Sequence, residues 1–306
     1  MKWLVRLCLV ILVCTGSTPV GFAMSSTNYQ INWDNINAGG NELGTSANFL
    51  MQDTVGDTSA GALGSSASYQ EQGGYRAGIV ELTISFVVEA QSTDSSAYTA
   101  FSRILSTVDV TTPATFEAGD FIAVIENAGF AQKVAVGRIL TIVGSTVTVD
   151  SWSGDGLSMS ASPSGGDDFV RILSSTSVAL GTVTRGGENV DTLMTSVLSD
   201  APYGYSIYLH GAQELNDSLG HTMTPVTDGV VSTGSEEYGA ATKGASAVSA
   251  DVDIGVTTTQ RVVQTNSVPT GSTPDRVAMV YKLSVVDATV AGAYTQDVYY
   301  TMTANY

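Results

Sequence analysis

The stretch Val277-Ala278-Met279-Val280-Tyr281-Lys282-Leu283-Ser284-Val285 decides the fold of this chain. Every second residue from Val277 is large and apolar, and the residues between them include the small or polar Ala278, Lys282 and Ser284. Successive side chains of a strand point to opposite faces, so a period of two directs one set inward and the other outward. The stretch therefore predicts a half-buried strand of an antiparallel sheet.

The same alternation continues to the end of the sequence. In residues 294–306 one face of the predicted strand carries Val298, Tyr300, Met302, Ala304 and Tyr306. Gly292 and Ala293 form the turn into this strand. The region opens with the run 177–183 and continues through the aromatic-rich residues 203–209. Residues 174–306 are therefore predicted to form an immunoglobulin-like antiparallel sandwich, closed by its own C-terminal strand.

Residues 81–173 have a different texture, with dense β-branched runs separated by glycine. Phe121 to Ile125 is continuously apolar, and Gly144-Ser145 between two β-branched runs is a hairpin signal. After the first apolar run, no stretch of the chain keeps the 3.6-residue apolar period of a helix. The sequence predicts a small β-barrel-like module here and an all-β fold for the whole chain.

Residues 24–80 contain an internal repeat. Ser26-Thr27-Asn28-Tyr29, Ser46-Ala47-Asn48-Phe49 and Ser66-Ala67-Ser68-Tyr69 recur with a period of twenty residues. Each unit is a polar turn followed by an aromatic residue that begins a short strand. One such unit cannot bury its own aromatic side chain, so the repeats are expected to pack on one another or on a later domain.

Residues 1–23 have the composition of a secretory signal peptide. Lys2 and Arg6 precede the apolar run from Leu7 to Val13, and small residues before Met24 suit a cleavage site. That run is far shorter than the roughly 20 residues that a membrane-spanning helix needs. The sequence thus predicts a secreted, extracellular or cell-surface protein. Because both cysteines, Cys8 and Cys14, lie in the predicted leader, the mature chain has no disulfide and no thiol chemistry.

The chain is strongly acidic, with a formal net charge of −17. Such a surface repels phosphate backbones, so nucleic acid is excluded as a partner. Apolar residues make up 43% of the sequence, which is enough to fill a core and indicates a folded chain.

The C-terminal segment Ala291-Gly292-Ala293-Tyr294-Thr295-Gln296-Asp297-Val298-Tyr299-Tyr300-Thr301-Met302-Thr303-Ala304 resembles the closing strand of bacterial surface sandwiches. These include spore-coat-U-like and pilin-like subunits and cell-wall-binding WxL domains. The segments 116–122 and 147–152 look like parts of small β-barrel inserts in surface and tail-fibre proteins. The resemblance implies a secreted, surface-associated sandwich that assembles or adheres. The chain has no W-x-L triplet, which puts peptidoglycan binding by that route in doubt.

The chemistry of an enzyme is not indicated. The two histidines, His210 and His221, do not have zinc-ligand spacing, and the sequence contains no G-x-S-x-G elbow and no phosphate-binding glycine loop. Adjacent Glu236 and Glu237 would point to opposite faces of a strand. No catalytic, cofactor-binding or metal-binding residue is therefore assigned, and no small-molecule cofactor is expected.

Calcium is the one ligand for which oxygen donors exist in quantity. The candidates are Asp155 between two glycines, the pair Asp167-Asp168, and Asp251 with Asp253, which would share a strand face. None of them completes a D-x-D-x-D-G loop.

Three functions remain open. The first is a structural subunit of a filament or surface layer, in which residues 294–306 or 24–78 complete the sheet of a neighbouring copy or of another surface protein. The second is a monomeric adhesin that binds carbohydrate or a host surface through Trp33, Trp152 and the tyrosines of residues 203–208. The third is an outer-membrane β-barrel, since an alternating strand that ends in an aromatic residue is typical of such proteins.

Overall fold

A computed structural model describes residues 83–156 and 158–305 in full and six short strands between residues 24 and 71 as backbone. The predicted all-β fold is confirmed, with antiparallel sheets and a single 3-10 turn at Pro113–Thr115 in the fully described part. The described residues include no helix long and apolar enough to span a membrane. The predicted leader, residues 1–23, lies outside the described residues.

The chain divides into two compact units, residues 1–81 and 82–306. The described strands of the first unit are β1 (Met24–Ser25), β2 (Gln30–Ile31), β3 (Gly39–Ser46), β4 (Phe49–Val55), β5 (Gly64–Ser66) and β6 (Tyr69–Glu71). They form three separate two-stranded sheets, β1-β2, β3-β4 and β5-β6.

The three hairpins share one register, offset by the period of the sequence repeat. Met24 pairs with Ile31, Gly44 with Met51, and Gly64 with Glu71. In the second and third hairpins the last pair of the ladder is the serine and the aromatic residue of the repeat, Ser46 with Phe49 and Ser66 with Tyr69. Two residues separate the members of each pair along the chain. The prediction of a turn followed by a strand that begins at an aromatic residue agrees with these two hairpins. Tyr29 lies outside the described residues.

The described residues of the second unit form fourteen strands. They are β7 (Ile84–Ser96), β8 (Tyr98–Ser102), β9 (Thr107–Val110), β10 (Phe121–Glu126), β11 (Lys133–Val143), β12 (Thr146–Val149), β13 (Ser153–Gly154), β14 (Phe169–Ser175), β15 (Glu188–Ser199), β16 (Tyr205–Gly211), β17 (Glu237–Lys243), β18 (Arg261–Asn266), β19 (Asp275–Ser284) and β20 (Val298–Ala304).

Most of these strands belong to one eleven-stranded antiparallel sheet. Its order is β17-β19-β15-β7-β14-β10-β11-β12-β9-β8, with β13 paired to β11. Among the described strands, β17 and β8 lie at the two ends of this sheet. Strand β7 pairs with β15 through its first half and with β14 through its second half. The domain boundary at residues 173 and 174 stays a prediction, and β7 forms ladders with strands on both sides of it.

The remaining three strands form the second layer of a sandwich, in the order β18-β16-β20. Their inward side chains pack against β15, β17 and β19 in one apolar cluster, whose fully buried members include Tyr205, Ile207 and Met279. A separate apolar cluster, which includes Val108, Val124 and Trp152, lies among strands β8 to β14. The fold is thus a two-layer sandwich with a sheet extension that has its own core.

The prediction that the stretch forming β19 is half-buried is wrong. The stretch from Val277 to Val285 is buried on both faces, because Ala278 and Val280 pack against Ala123 and Val134 of the sheet extension. Its charged residue, Lys282, is paired inside the protein, with Nζ 2.8 Å from Asp253 Oδ1. Ala278, which indicated a solvent-facing side, is covered by this third apolar cluster, and Ser284 is also fully buried.

A partly buried ion pair joins the sheet extension to β19. Arg276 is 1% exposed and donates to both carboxylate oxygens of Asp150, from Nη1 at 2.8 Å and from Nη2 at 2.6 Å. Although burial raises the pKa of Asp150, the Arg276 guanidinium and two backbone N–H groups hold it below its usual value. The pair fixes the position of β19 relative to the end of β12.

Candidate functional site

The outer edges of the two sheets differ in how they are covered. On β17, Tyr238 N–H donates to Thr224 O at 3.0 Å, and Ile254 exchanges two hydrogen bonds with Ala240. On β18, Thr265 N–H donates to Ser246 O at 3.0 Å, while Val248 N–H donates to Val263 O at 3.1 Å. On β8, Phe101 N–H donates to Ala161 O at 2.8 Å. Loop residues therefore occupy backbone groups at these three edges.

Strand β20 is the edge without such cover among the described residues. Ala212 N–H donates to Asp297 O, and Asn305 N–H donates to Gly204 O, which places the odd-numbered backbone groups toward β16. Because antiparallel ladders alternate, the N–H and C=O groups of the even-numbered residues point away from β16. These residues are Val298, Tyr300, Met302 and Ala304. No described residue forms a hydrogen bond with their outward backbone groups.

The inward side chains are also less buried at this edge than in the middle of the layer. The inward side chains of β16 are buried, but those of β20 are only half-buried. Tyr300 crosses the sandwich to meet the hydroxyl of Tyr281 on β19. Among the described residues, nothing therefore occupies the position of a further strand beside β20.

An apolar cleft of about 860 Å³ opens at the beginning of β20. Its walls are residues 177–183 and 289–298, and Tyr281, Leu283 and Val285 contribute to its lining. The segment 177–183, predicted from its apolar pattern to open the sandwich, forms no strand ladder. It crosses the core as a strap, with Val178, Leu180 and Val183 packed on the apolar cluster.

Two polar side chains of β15 hold this strap in place. Asp191 is fully buried and accepts hydrogen bonds from Ala179 N–H and, at 2.7 Å, from Thr192 N–H. Asn189 Nδ2 donates to Leu180 O at 2.6 Å. Burial raises the pKa of Asp191 to about 6, against the opposing effect of these backbone donors. Sequence reasoning did not single out Asp191, since no local pattern identifies a carboxylate that bonds to a strap twelve residues earlier.

Two of the calcium candidates, Asp155 and Asp251, lie close together, but they share a lysine as their partner. Lys243 lies between Asp155 and Asp251, with Nζ 3.0 Å from Asp155 Oδ2. The prediction that Asp251 and Asp253 share a strand face is wrong, because Asp251 lies in a turn with φ of 72° whereas Asp253 is buried against Lys282.

Asp168 is also occupied by the protein. Its carboxylate accepts N–H groups from Asn127, Ser164 and Gly165, which hold its pKa below the usual value despite burial. Asp167 beside it is exposed. The described residues contain no group of three or more His, Cys, Asp or Glu side chains suited to a metal ion.

Of the aromatic residues singled out for adhesion, Trp152 and Tyr205 are in the core, whereas Tyr208 is partly exposed. Trp152 is 9% exposed and packs on Phe101, with ring centroids 5.1 Å apart, and Tyr205 is fully buried. Tyr203 is 66% exposed. Trp33 lies outside the described residues.

The histidines also have structural surroundings. His221 is exposed in a loop, and its Nδ1 lies 2.8 Å from Asp217 Oδ2. This contact and two backbone N–H groups lower the pKa of Asp217. His210 stacks on Tyr299, with ring centroids 5.3 Å apart. Neither ring contacts the cleft-lining strap or the outward backbone of β20 in the described contacts.

The free edge of β20 and the adjoining cleft are therefore the candidate site. In comparisons with known proteins, no protein-family model, no curated protein and no solved structure matches this chain.

Proposed function

We propose that the chain is a secreted structural subunit of a bacterial cell surface, which assembles through contacts between β-strands. The observation that carries this function is the edge of β20, to whose outward backbone groups no described residue forms a hydrogen bond, whereas loop residues bond to the edges of β17, β18 and β8. Exposed backbone donors and acceptors are a template for pairing with another strand.

The composition of β20 supports a strand contact. Its seven residues, Val298 to Ala304, include no charged residue, no proline and no glycine. Edge strands that must stay single are usually blunted by lysine, proline or a bulge. Strand β20 pairs with β16 without a register shift and has none of these features.

Export is the second part of the proposal and depends on residues 1–23. Their charged, apolar and small-residue order directs secretion, and the resemblance of residues 291–304 to pilin-like and spore-coat-U-like closing strands favours a surface location. The carbohydrate-binding alternative has less support, since Trp152 and Tyr205 are buried in the core.

Substitution of Met302 tests the proposed contact. The N–H of Met302 points outward, so proline at this position removes an outward donor without removing a ladder bond to β16. Met302→Ala is the matched control, because it loses the same side chain and keeps the N–H group. Both variants are made in the chain that begins at Met24.

Sedimentation over a range of protein concentrations is the measurement. We expect the parent chain and Met302→Ala to self-associate and Met302→Pro to remain monomeric, with the same circular dichroism in all three. A parent chain that stays monomeric at every concentration would rule out assembly through this edge. Equal association of the proline and alanine variants would show that β20 is not the contact.

A further inference from the structure

We propose that the partner strand is β20 of a second copy, paired antiparallel about a two-fold axis at Thr301. This proposal rests on the function proposed above and specifies the partner at that site. The axis at Thr301 also fixes the register of the two strands.

The outward backbone groups of β20 are self-complementary in this register. A two-fold axis at Thr301 brings Tyr300 opposite Met302 of the second copy and Val298 opposite Ala304 of the second copy. All four residues with outward groups then exchange hydrogen bonds with residues that also have outward groups. An axis at Tyr300 or at Met302 would leave Ala304 or Val298, respectively, beyond the end of the partner strand.

The side chains suit the same register. On the exposed face Tyr299 lies opposite Thr303 of the second copy, and aromatic and β-branched residues are favourable cross-strand pairs. Beyond the strand ends, Asp297 lies opposite Asn305 of the second copy, so no two carboxylates meet. Two copies of a chain with net charge −17 thus approach through a strand that is itself uncharged.

The contact has a consequence for assembly. Each three-stranded layer becomes half of a six-stranded sheet. An isologous contact closes on itself, so the pairing of β20 produces a dimer and a filament requires a second, different contact. The dimer is therefore the building unit of the proposed structure.

Disulfide trapping tests the two-fold axis. The chain from Met24 onward contains no cysteine, so a single introduced cysteine reports on one position. Thr301→Cys places two thiols on the axis at a non-hydrogen-bonded pair, with Cα atoms about 4.5 Å apart, which is within disulfide range. Thr303→Cys is the control on the same exposed face, and its two copies would lie about 14 Å apart along the strands.

Oxidation followed by non-reducing electrophoresis gives the readout. We expect Thr301→Cys to migrate as a covalent dimer, Thr303→Cys to remain a monomer, and Thr301→Cys combined with Met302→Pro to lose the dimer. Two results would overturn the two-fold register and leave the proposed function standing. One is equal cross-linking of both cysteine variants. The other is a lack of cross-linking by Thr301→Cys although the parent chain still self-associates through β20. A monomeric parent chain would refute both.

Discussion

The buried carboxyl of Asp191 makes the stability of the folded protein depend on pH in the direction opposite to ordinary acid denaturation. Burial raises its pKa from 3.8 to about 6, against the opposing effects of the Ala179 and Thr192 N–H groups and the charge of Arg171. Between these two pH values the folded protein holds a proton that the unfolded chain has released. The contribution of Asp191 to stability is therefore greatest below pH 3.8, falls as the pH rises through this window, and stays low above about pH 6.

The size of this effect follows from the pKa difference. One pKa unit corresponds to about 1.4 kcal/mol, so the shift from 3.8 to about 6 destabilises the ionised folded state by at most about 3 kcal/mol. Asp191→Asn cannot ionise, and its lost acceptor is a constant cost of about 1 kcal/mol at every pH.

Urea unfolding at a series of pH values measures this difference. The stability of Asp191→Asn relative to the parent should improve by up to about 3 kcal/mol on going from below pH 3.8 to above pH 6. Asp94→Asn, at an exposed position of β7, is the control and should show no such change. A difference between Asp191→Asn and the parent that is independent of pH would refute the buried, neutral carboxyl.

Two further predictions concern stability. Asp150→Asn leaves the buried Arg276 guanidinium without its anion and should destabilise the protein by about 3–5 kcal/mol in urea unfolding, whereas Asp94→Asn should change it little; similar losses for both would contradict the ion pair. Gly204→Ala should lower the melting temperature much more than Gly220→Ala, because both glycines have positive φ but an added Cβ meets Asn266 O at 2.0 Å only in Gly204; equal shifts would show that this close approach is relieved in solution.

Local alternation was sufficient to predict the strands that matter most. The period of two in residues 277–285 and 294–306 gave strands that the structure confirms as β19 and β20, because strand alternation is a property of neighbouring residues. In β20 the face that the pattern assigns to Val298, Tyr300, Met302 and Ala304 is the half-buried one. The twenty-residue repeat likewise matches the shared register of the hairpins β3-β4 and β5-β6.

Features that depend on distant residues were not predictable in this way. Burial of both faces of β19 requires Ala123 and Val134, which lie more than a hundred residues earlier. The strap at residues 177–183 is apolar like a strand, yet it bonds to Asp191 and Asn189 and joins no ladder. Apolar pattern indicates burial, whereas the choice between strand and strap depends on which backbone groups are near.

The treatment of sheet edges links the fold to the proposed function. Covering the edge of β17 takes residues from two separate loops, around Thr224 and Ile254, and covering β18 takes a third, around Ser246. Burying such loops costs conformational entropy and constrains the sequence, so a chain that covers these edges has the means to cover the fourth. The loop before β20 instead forms a wall of the cleft through residues 289–297, and no described residue bonds to the outward groups of the even-numbered residues of β20. An uncharged edge that no described loop covers, beside an apolar cleft, therefore supports the proposed contact with another strand.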